Sequence, residues 1–315
     1  MSKKILLSGV KPTGRPHIGN YFGAMKQFVD LQDKYDCYFF IADYHGLNII
    51  QNGAEMRELI LNLAIDYLAI GLDPKKSVIF KQSDVLEHTE LAWIFDTITT
   101  MPYLMRAHAY KDAEAKDKEI SVGTFNYPML MAADILLYDA DVVPVGQDQK
   151  QHVEYARDTA QKFNRVFGSE VFKLPTDMIL TNVAVVPGND GRKMSKSYGN
   201  DLGLFASDEE IRKFVMAIVT DSSGERPENV YAIHSLFRSK VELEKLYAEK
   251  KGKYKDLKEA LIADLVAFIR PLRERREKIA RDPKKVLKIL EKGAKSAREA
   301  AEKKMEVVRK AIGVR

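Results

Sequence analysis

The sequence of 315 residues predicts an α/β fold with a doubly wound parallel sheet, followed by an all-helical C-terminal part. Three observations point to this fold class. Short apolar runs alternate with longer amphipathic stretches in the first half, strand patterns stop near residue 200, and the last stretch carries one continuous apolar stripe. Repetition of strand, helix and strand is typical of a parallel, Rossmann-like sheet, because each crossover between parallel strands needs a long connection.

In the first half, four apolar runs are candidate strands, at residues 4–8, 37–42, 78–82 and 141–145. The stretches between them place apolar residues three or four positions apart, as amphipathic helices do. These predicted helices cover residues 21–35, 55–71, 87–100 and 126–138. Gly71 followed by Pro74 is a typical helix end, because glycine readily adopts the left-handed conformation and proline cannot continue a helix.

After about residue 200, every regular stretch has a helical pattern. The first, at residues 207–220, begins with Ser207 and Glu210, which have the spacing of a capping box. Further predicted helices cover residues 241–249, 256–281 and 283–311. We therefore predict two domains, a Rossmann-like α/β domain over residues 1–197 and a helical domain over residues 198–315.

Composition excludes several classes of protein. Apolar residues make up 45% of the chain and charged residues 30%, which is typical of globular proteins and too apolar for intrinsic disorder. No apolar run is long enough to span a membrane, and the N-terminus lacks the apolar core of a signal peptide. The single cysteine, Cys37, excludes a disulfide framework and an iron–sulfur cluster held by cysteines. We expect a soluble, cytoplasmic protein, with the only tryptophan, Trp93, in its core.

Charge is distributed unevenly along the chain. Residues 270–315 contain 17 Lys and Arg against 7 Asp and Glu, whereas the first 269 residues contain 33 against 38. A basic end on an acidic body suits binding to a polyanion. A solvated helix face explains the same charges, since Glu291 and Lys295 have the spacing of an i,i+4 pair. Both interpretations stay open on charge alone.

Three polar, glycine-containing segments follow predicted strands, at residues 8–20, 43–46 and 144–149. Ligands of parallel sheets bind beyond the carboxyl ends of the strands. In the first segment, His17 and Asn20 begin a helix, and Gly19 allows a ligand to approach the backbone, so the sequence predicts an anion site there. A lone histidine at this place is also a common helix cap. The segment is neither a Walker loop nor a G-x-G-x-x-G turn.

A second candidate is the basic loop at residues 188–197. Its glycines predict mobility, and Lys193 and Lys196 can reach one polyphosphate together with the hydroxyls of Ser195 and Ser197. Two lysines with no acidic residue between them suit an anion that gains charge during a reaction. The alternative, a solvated basic loop, would be preferred for an isolated K-x-x-K pattern.

Together, His17-Ile18-Gly19-Asn20 and Lys193-Met194-Ser195-Lys196-Ser197 resemble the two signature motifs of class I aminoacyl-tRNA synthetases. The fourth place of the first motif is commonly histidine, and Asn20 is a usual variant of the tyrosine and tryptophan subclass. Within that subclass, the segments at residues 127–134 and 144–152 are similar to the tryptophanyl-tRNA synthetases. The resemblance extends over essentially the whole chain, including its helical end.

The resemblance implies an ATP-dependent ligase that forms an aminoacyl-adenylate and pyrophosphate and then charges tRNA. The implied catalytic residues are His17, Asn20, Lys193, Ser195 and Lys196. The implied ATP site combines several of these with further residues: Lys11, Pro12, Thr13, Gly19, Asn20, Gly146, Gln147, Asp148, Val185, Lys193, Met194, Ser195, Lys196 and Ser197. Gly146, Gln147 and Asp148 would bind the ribose, Val185 would pack near the adenine, and Lys111 is an optional phosphate contact.

The implied amino-acid pocket contains Met131 and Asp134, which share one helix face, with Leu7 and His45 at neighbouring strand ends. In the tryptophan enzymes the aspartate accepts the indole N–H and the methionine packs on the ring. Tyrosine enzymes typically carry glutamine in place of Met131. L-tryptophan is therefore the expected substrate, and tyrosine on the same fold is the alternative.

The resemblance also implies Mg²⁺ bound with the ATP phosphates, no protein metal site, and no iron–sulfur cluster, since only Cys37 is available. It implies a homodimer whose tRNA(Trp) spans both subunits and contacts the basic C-terminal helices. Two other functions are alternatives to this ligase. A nucleotidyltransferase for a small molecule does not need the 193–197 loop or the helical end, and a non-catalytic tRNA-binding relative does not need His17, Lys193 and Lys196.

Overall fold

The protein is built around a five-stranded parallel sheet. The computed structural model describes residues 3–115, 119–146, 150–179, 185–220 and 226–314. The strands in these ranges are β1 (Ile5–Val10), β2 (Asp36–Ile41), β3 (Ser77–Lys81), β4 (Val142–Val145) and β5 (Thr176–Ile179). They lie in the order β3-β2-β1-β4-β5, and all their pairings are parallel. The predicted fold class is confirmed.

The strand order reverses between β1 and β4. From β1 the sheet extends through β2 to β3, whereas β4 pairs with the other side of β1 and leads outward to β5. In an open parallel sheet, a ligand crevice forms beyond the carboxyl ends of the strands at such a reversal. Since β1 ends at Val10 and β4 ends at Val145, the crevice is bounded by the segments that begin at Lys11 and Gly146.

The helices of the described N-terminal two thirds are α1 (Ile18–Asn20), α2 (Lys26–Leu31), α3 (Asp43–Gly46), α4 (Gly53–Ile70), α5 (Glu87–Ile98), α6 (Met101–Leu104), α7 (His108–Ala115), α8 (Val122–Leu136) and α9 (Lys150–Val166). A π-helical turn, Tyr21–Met25, joins α1 to α2. Gly71 ends α4 with a φ of 113°, the left-handed conformation expected from the sequence. Helices α4, α5 and α8 therefore lie close to the predicted bounds, whereas α9 was not predicted.

The C-terminal part is helical, with α10 (Asp208–Met216), α11 (Glu228–His234), α12 (Lys240–Glu249), α13 (Tyr254–Ala280) and α14 (Pro283–Ala311). Ser207 and Glu210 form the predicted capping box at the start of α10. Helix α14 has the predicted bounds, and its apolar stripe is buried. Within the described residues, no strand follows β5, which agrees with the loss of strand patterns near residue 200.

Helix α14 returns from the helical part to the edge of the sheet, where it packs on β3. Gly293 makes this approach possible, because a Cβ atom there would overlap the backbone of Ile79. A covered edge strand presents no free backbone groups to another chain. A buried cluster also joins the sheet to the helical part without interruption at residue 197, since it contains Phe39 as well as Phe214 and Leu265.

The expectation that Trp93 lies in the core is wrong, because its side chain is 70% exposed. Helix α5 buries Leu91, Ile94 and Phe95, which leaves Trp93 on the opposite face. Apolar periodicity therefore identified the helix but not its buried side. A separate sequence expectation concerned membranes, and in the described part of the chain no helix is long and apolar enough to cross one.

Candidate active site

His17 begins α1 just beyond the end of β1. Its Nδ1 accepts a hydrogen bond from the backbone N–H of Asn20 at 3.2 Å, and the Asn20 side-chain oxygen accepts from the backbone N–H of His17 at 3.1 Å. Burial lowers the pKa of His17; Asp201 acts in the opposite direction, and Lys196 and Lys193 add to the lowering. A neutral imidazole that accepts at Nδ1 carries its hydrogen on Nε2. That ring is both a cap and a hydrogen-bond donor.

Gly19 allows two side chains to approach the start of this helix. A Cβ atom at residue 19 would lie 2.9 Å from His17 Nδ1 and 3.5 Å from Met194 Cβ. An alanine would therefore press on the ring that caps the helix. The π-helical turn at Tyr21–Met25 follows directly, and such turns are frequent at functional sites.

The basic loop is closed at its base by backbone pairing. Gly188 N donates to Arg192 O at 2.7 Å, and Met194 N donates to Val186 O at 2.9 Å. Met194 is buried, whereas Lys193 and Lys196 are exposed. The loop therefore combines one apolar anchor with two cations that face solvent.

The first signature segment forms a short antiparallel pairing with residues 202–204, which follow the basic loop. Ile18 N donates to Leu202 O at 3.0 Å, and Leu204 N donates to Pro16 O at 2.9 Å. The Lys196 ammonium also lies 3.5 Å from the carbonyl oxygen of Thr13. Residues separated by about 180 positions in the sequence therefore meet at the crevice beside β1.

Asn200 holds the end of the basic loop, a role that the sequence did not indicate. Its side-chain oxygen accepts from Ser195 N at 2.8 Å, and its amide nitrogen donates to Asp190 Oδ1 at 2.7 Å and to Lys193 O at 3.3 Å. The side chain is buried, with 2% exposed. An asparagine three residues beyond a polar loop carries no distinctive pattern, so only the fold identifies it.

Helix α8 presents Tyr127, Met131 and Asp134 on one face, since these positions are four and three residues apart. Met131 packs against the apolar cluster that contains Leu7. Asp134 Oδ2 lies 2.9 Å from His45 Nε2, and the His45 ring stacks edge-on to Tyr127 at 6.2 Å. The structure thus brings together Leu7, His45, Met131 and Asp134, and adds Tyr127 to them.

Asp134 has two further partners that sequence reasoning missed. Gln82 Nε2 donates to Asp134 Oδ1 at 2.7 Å, and His88 Nδ1 lies 2.6 Å from the same oxygen. Burial raises the pKa of Asp134, but the hydrogen bonds and charges of His45 and His88 outweigh burial and lower it to about 2. The carboxylate is therefore ionised at neutral pH inside a buried pocket.

Of the other predicted residues, two lie outside the described ranges and the rest differ in exposure. Gly146 directly follows β4, while Gln147 and Asp148 lie outside the described residues. Val185 is 69% exposed. Pro12 is buried between two exposed neighbours, Lys11 and Thr13. Lys111 is an exposed residue of α7. In the basic loop, Ser195 Oγ and Ser197 Oγ lie 2.9 Å apart. In the described part of the chain, no three His, Cys, Asp or Glu side chains are grouped to hold a metal ion.

Comparison with known proteins agrees with this geometry. Residues 2–295 match the family of class I tRNA synthetases for W and Y. The tryptophan–tRNA ligase of Fusobacterium nucleatum is 46% identical, with 98% of this chain and 97% of that protein covered. That of Rhodopirellula baltica is 44% identical over 98% of this chain and 99% of its own. A tryptophanyl-tRNA synthetase from Campylobacter jejuni, solved with ADP and tryptophan, has a TM-score of 0.91 and 42% identity, and covers 98% of this chain and 99% of its own.

Proposed function

The chain belongs to the class I tRNA synthetases of the tryptophan and tyrosine subclass and is an ATP-dependent tryptophan–tRNA ligase, and we propose a role in this reaction for each residue of the candidate site. The substrate carboxylate attacks the α-phosphate of ATP, so no protein nucleophile is required. The protein contributes positioning and stabilisation of charge. The observations that support the proposal are the pairing of Pro16 and Ile18 with Leu204 and Leu202, and the Lys196 ammonium beside Thr13.

ATP binds in the crevice between the ends of β1 and β4. His17 Nε2–H and the free N–H groups of α1 face the phosphates, while Gly19 allows close approach. The remaining ATP residues are assigned by their place around the crevice or by resemblance: Lys11, Pro12, Thr13, Asn20, Gly146, Gln147, Asp148, Val185, Met194 and Ser197. Gln147 and Asp148 would bind the ribose hydroxyls, and Val185 would contact the adenine.

Lys193, Ser195 and Lys196 stabilise the departing pyrophosphate. Lys196 already lies beside Thr13 at the crevice, and the exposed ammonium groups are free to engage phosphate oxygens. Mg²⁺ bound with the ATP phosphates would supply further positive charge beside these lysines; such ions commonly retain waters and substrate oxygens as ligands.

Tryptophan binds against α8. Met131 and Leu7 supply the apolar wall, and Asp134 accepts the indole N–H. Because Asp134 is ionised and buried, a side chain without an N–H leaves one acceptor position of this charged group empty, which disfavours that side chain. His45 closes the pocket beside the carboxylate.

Amino-acid-dependent ATP–pyrophosphate exchange with all twenty amino acids tests this assignment. We expect exchange with tryptophan and only weak exchange with tyrosine or phenylalanine. Equal exchange with tyrosine would refute the role of Asp134 in selecting the indole.

We also propose a homodimer that uses an apolar patch on the α5 side of the body. The patch consists of exposed side chains: Leu47, Ile49, Trp93, Met101 and Val122. Hydrogen bonds connect its parts, from Asn48 to the backbone of Gly123 and from Asn126 to Asp96. An exposed apolar patch of this kind marks an interaction surface. Trp93→Glu should yield a monomer in analytical ultracentrifugation, and a variant that stays dimeric would place the interface elsewhere.

Residues 1–197 are proposed as the catalytic domain and residues 198–315 as the domain that binds the anticodon region of tRNA(Trp). The packing of α14 on β3 would hold the second domain against the first. The proposed place of action is the cytoplasm, where tRNA is charged for translation.

A further inference from the structure

The two oxygens of Asp134 have different surroundings. Oδ1 faces two donors, Gln82 Nε2 at 2.7 Å and His88 Nδ1 at 2.6 Å, whereas Oδ2 faces His45 Nε2 at 2.9 Å. A carboxylate oxygen accepts about two hydrogen bonds. Counting only partners in the described ranges, Oδ1 is therefore saturated and Oδ2 keeps one acceptor position.

His88 lies behind this carboxylate in a fully buried site. Its exposed fraction is 0%, and its Nε2 lies 2.8 Å from the hydroxyl of Tyr138. The rings of Phe40 and Phe80 flank it at centroid distances of 6.0 and 6.3 Å. Both ring nitrogens are thus occupied by protein groups, and His88 acts on a ligand only through Asp134.

The direction of each hydrogen bond follows from the chemistry of the partners. Ionised Asp134 only accepts, so the Nδ1 of His88 carries a hydrogen. Burial and the charge of Asp134 raise the pKa of Tyr138 well above its usual value, so its hydroxyl keeps its proton and can donate to Nε2. The tyrosine thereby selects the imidazole tautomer that donates to Asp134.

We propose that His88, held by Tyr138, is a positioning residue for amino-acid selection: it fills Oδ1 and leaves the open acceptor position of Oδ2 for the indole N–H. This inference deepens the proposed function and rests on its assignment of Asp134. Helix α5 supplies His88 and helix α8 supplies Asp134, so the packing of two helices sets the orientation of the acceptor.

The test compares tryptophan with 3-benzothienylalanine, an isostere in which sulfur replaces the indole N–H, in ATP–pyrophosphate exchange by the full-length enzyme. His88→Leu should lower kcat/KM for tryptophan by about tenfold or more and change that for the isostere by less than about twofold, with KM for ATP unchanged. His88→Asn should recover most of the preference, because its amide nitrogen takes the place of Nδ1. Tyr138→Phe should reduce the preference by about threefold.

A second Tyr–His–Asp arrangement provides a matched control. His234 lies 2.8 Å from Asp264 and 3.3 Å from the hydroxyl of Tyr247, and it is also fully buried. His234→Leu should lower thermal stability but leave the preference for tryptophan over the isostere unchanged. Equal changes of preference in the His88 and His234 variants would reduce His88 to a structural role and overturn the proposal.

The outcomes separate this inference from the proposed function. An unchanged preference in His88→Leu overturns the role of His88, provided that Asp134→Ala abolishes the preference. If Asp134→Ala retains the preference of the wild-type enzyme, the assignment of the indole to Asp134 fails first. Should His88→Leu not fold, Tyr138→Phe decides, and a wild-type preference in that variant overturns the proposal.

Discussion

The arrangement of Asn200 predicts that it controls the rate of adenylate formation without contacting a substrate. Asn200→Ala removes the acceptor of Ser195 N and the donor to Asp190 and Lys193. The basic loop would then lose the connection between its end and the segment paired with His17. Lys196 would spend less time beside Thr13, where we propose that it meets the phosphates.

The magnitude follows from the bonds that are lost. A hydrogen bond between neutral groups contributes about 0.5–1.5 kcal/mol, and one to a charged group such as Asp190 about 1.5–3 kcal/mol. Part of this loss lowers overall stability and part releases the loop. If about 1.4–2.8 kcal/mol appears in the transition state, kcat falls roughly 10–100-fold. KM for tryptophan should change by less than about twofold, since Asn200 does not touch the α8 pocket.

Asn164 is a matched control in the same assay. Its side-chain oxygen accepts from Val171 N and Phe172 N at 3.1 Å, and its amide donates to Phe172 O at 2.9 Å. It fastens a different loop, at the far end of α9 from the crevice. Asn164→Ala should therefore lower thermal stability and leave kcat nearly intact. Equal losses of kcat in the two variants, or a wild-type kcat for Asn200→Ala, would refute the reasoning.

Three further outcomes are expected. Asp134→Ala should cost at least about 2 kcal/mol in kcat/KM for tryptophan, and a variant of wild-type efficiency would place the indole elsewhere. Lys196→Ala should lower kcat of pyrophosphate exchange by roughly 10²-fold; a higher KM for tryptophan at unchanged kcat would instead make the loop a substrate clamp. Reversing the exposed charges of Arg275, Lys285 and Lys288 should weaken tRNA binding and flatten its salt dependence by about 0.7–0.9 per lost phosphate contact, while exchange persists; an unchanged slope would leave these residues as a solvated face.

Local sequence patterns predicted the helices and strands that their own residues determine. Helix α14 has the predicted bounds, because Pro283 marks its start and a complete apolar stripe runs along it. The strand β5 was missed: it is only four residues long, contains Asp177 and pairs with β4 alone. The strand forms because it pairs with β4, although its own four residues show no strand pattern.

The candidate site likewise contains residues that a local motif identifies and residues that only the fold identifies. His17 and the basic loop carry recognisable motifs, whereas His88 is 46 positions from its partner Asp134 and lies in an ordinary helical pattern. Contacts at that separation depend on how α5 and α8 pack, and no short window of sequence contains both residues. The sequence could therefore suggest which groups meet a substrate, but not which groups hold them in place.

The structure also divides the basic C-terminal residues into two groups with different uses. Several hold the helices to the acidic body: Arg276 pairs with Asp66, Lys304 with Asp139, and Arg309 with Glu90. These cations are unavailable to tRNA, and their partners account for part of the acidic excess of the first 269 residues.

Arg270 and Arg273 pair with Asp208 at the start of α10. The other cations of residues 275–310 are exposed: Arg275, Lys278, Arg281, Lys284, Lys285, Lys288, Lys292, Lys295, Arg298, Lys303 and Lys310. They lie on helices whose apolar stripes are buried against the body, so their charges face solvent together. A polyanion that approaches this face meets cations already oriented by the fold. Paired cations therefore fix the position of the helices, and the salt dependence of tRNA binding decides whether the exposed cations bind phosphate or form a solvated face.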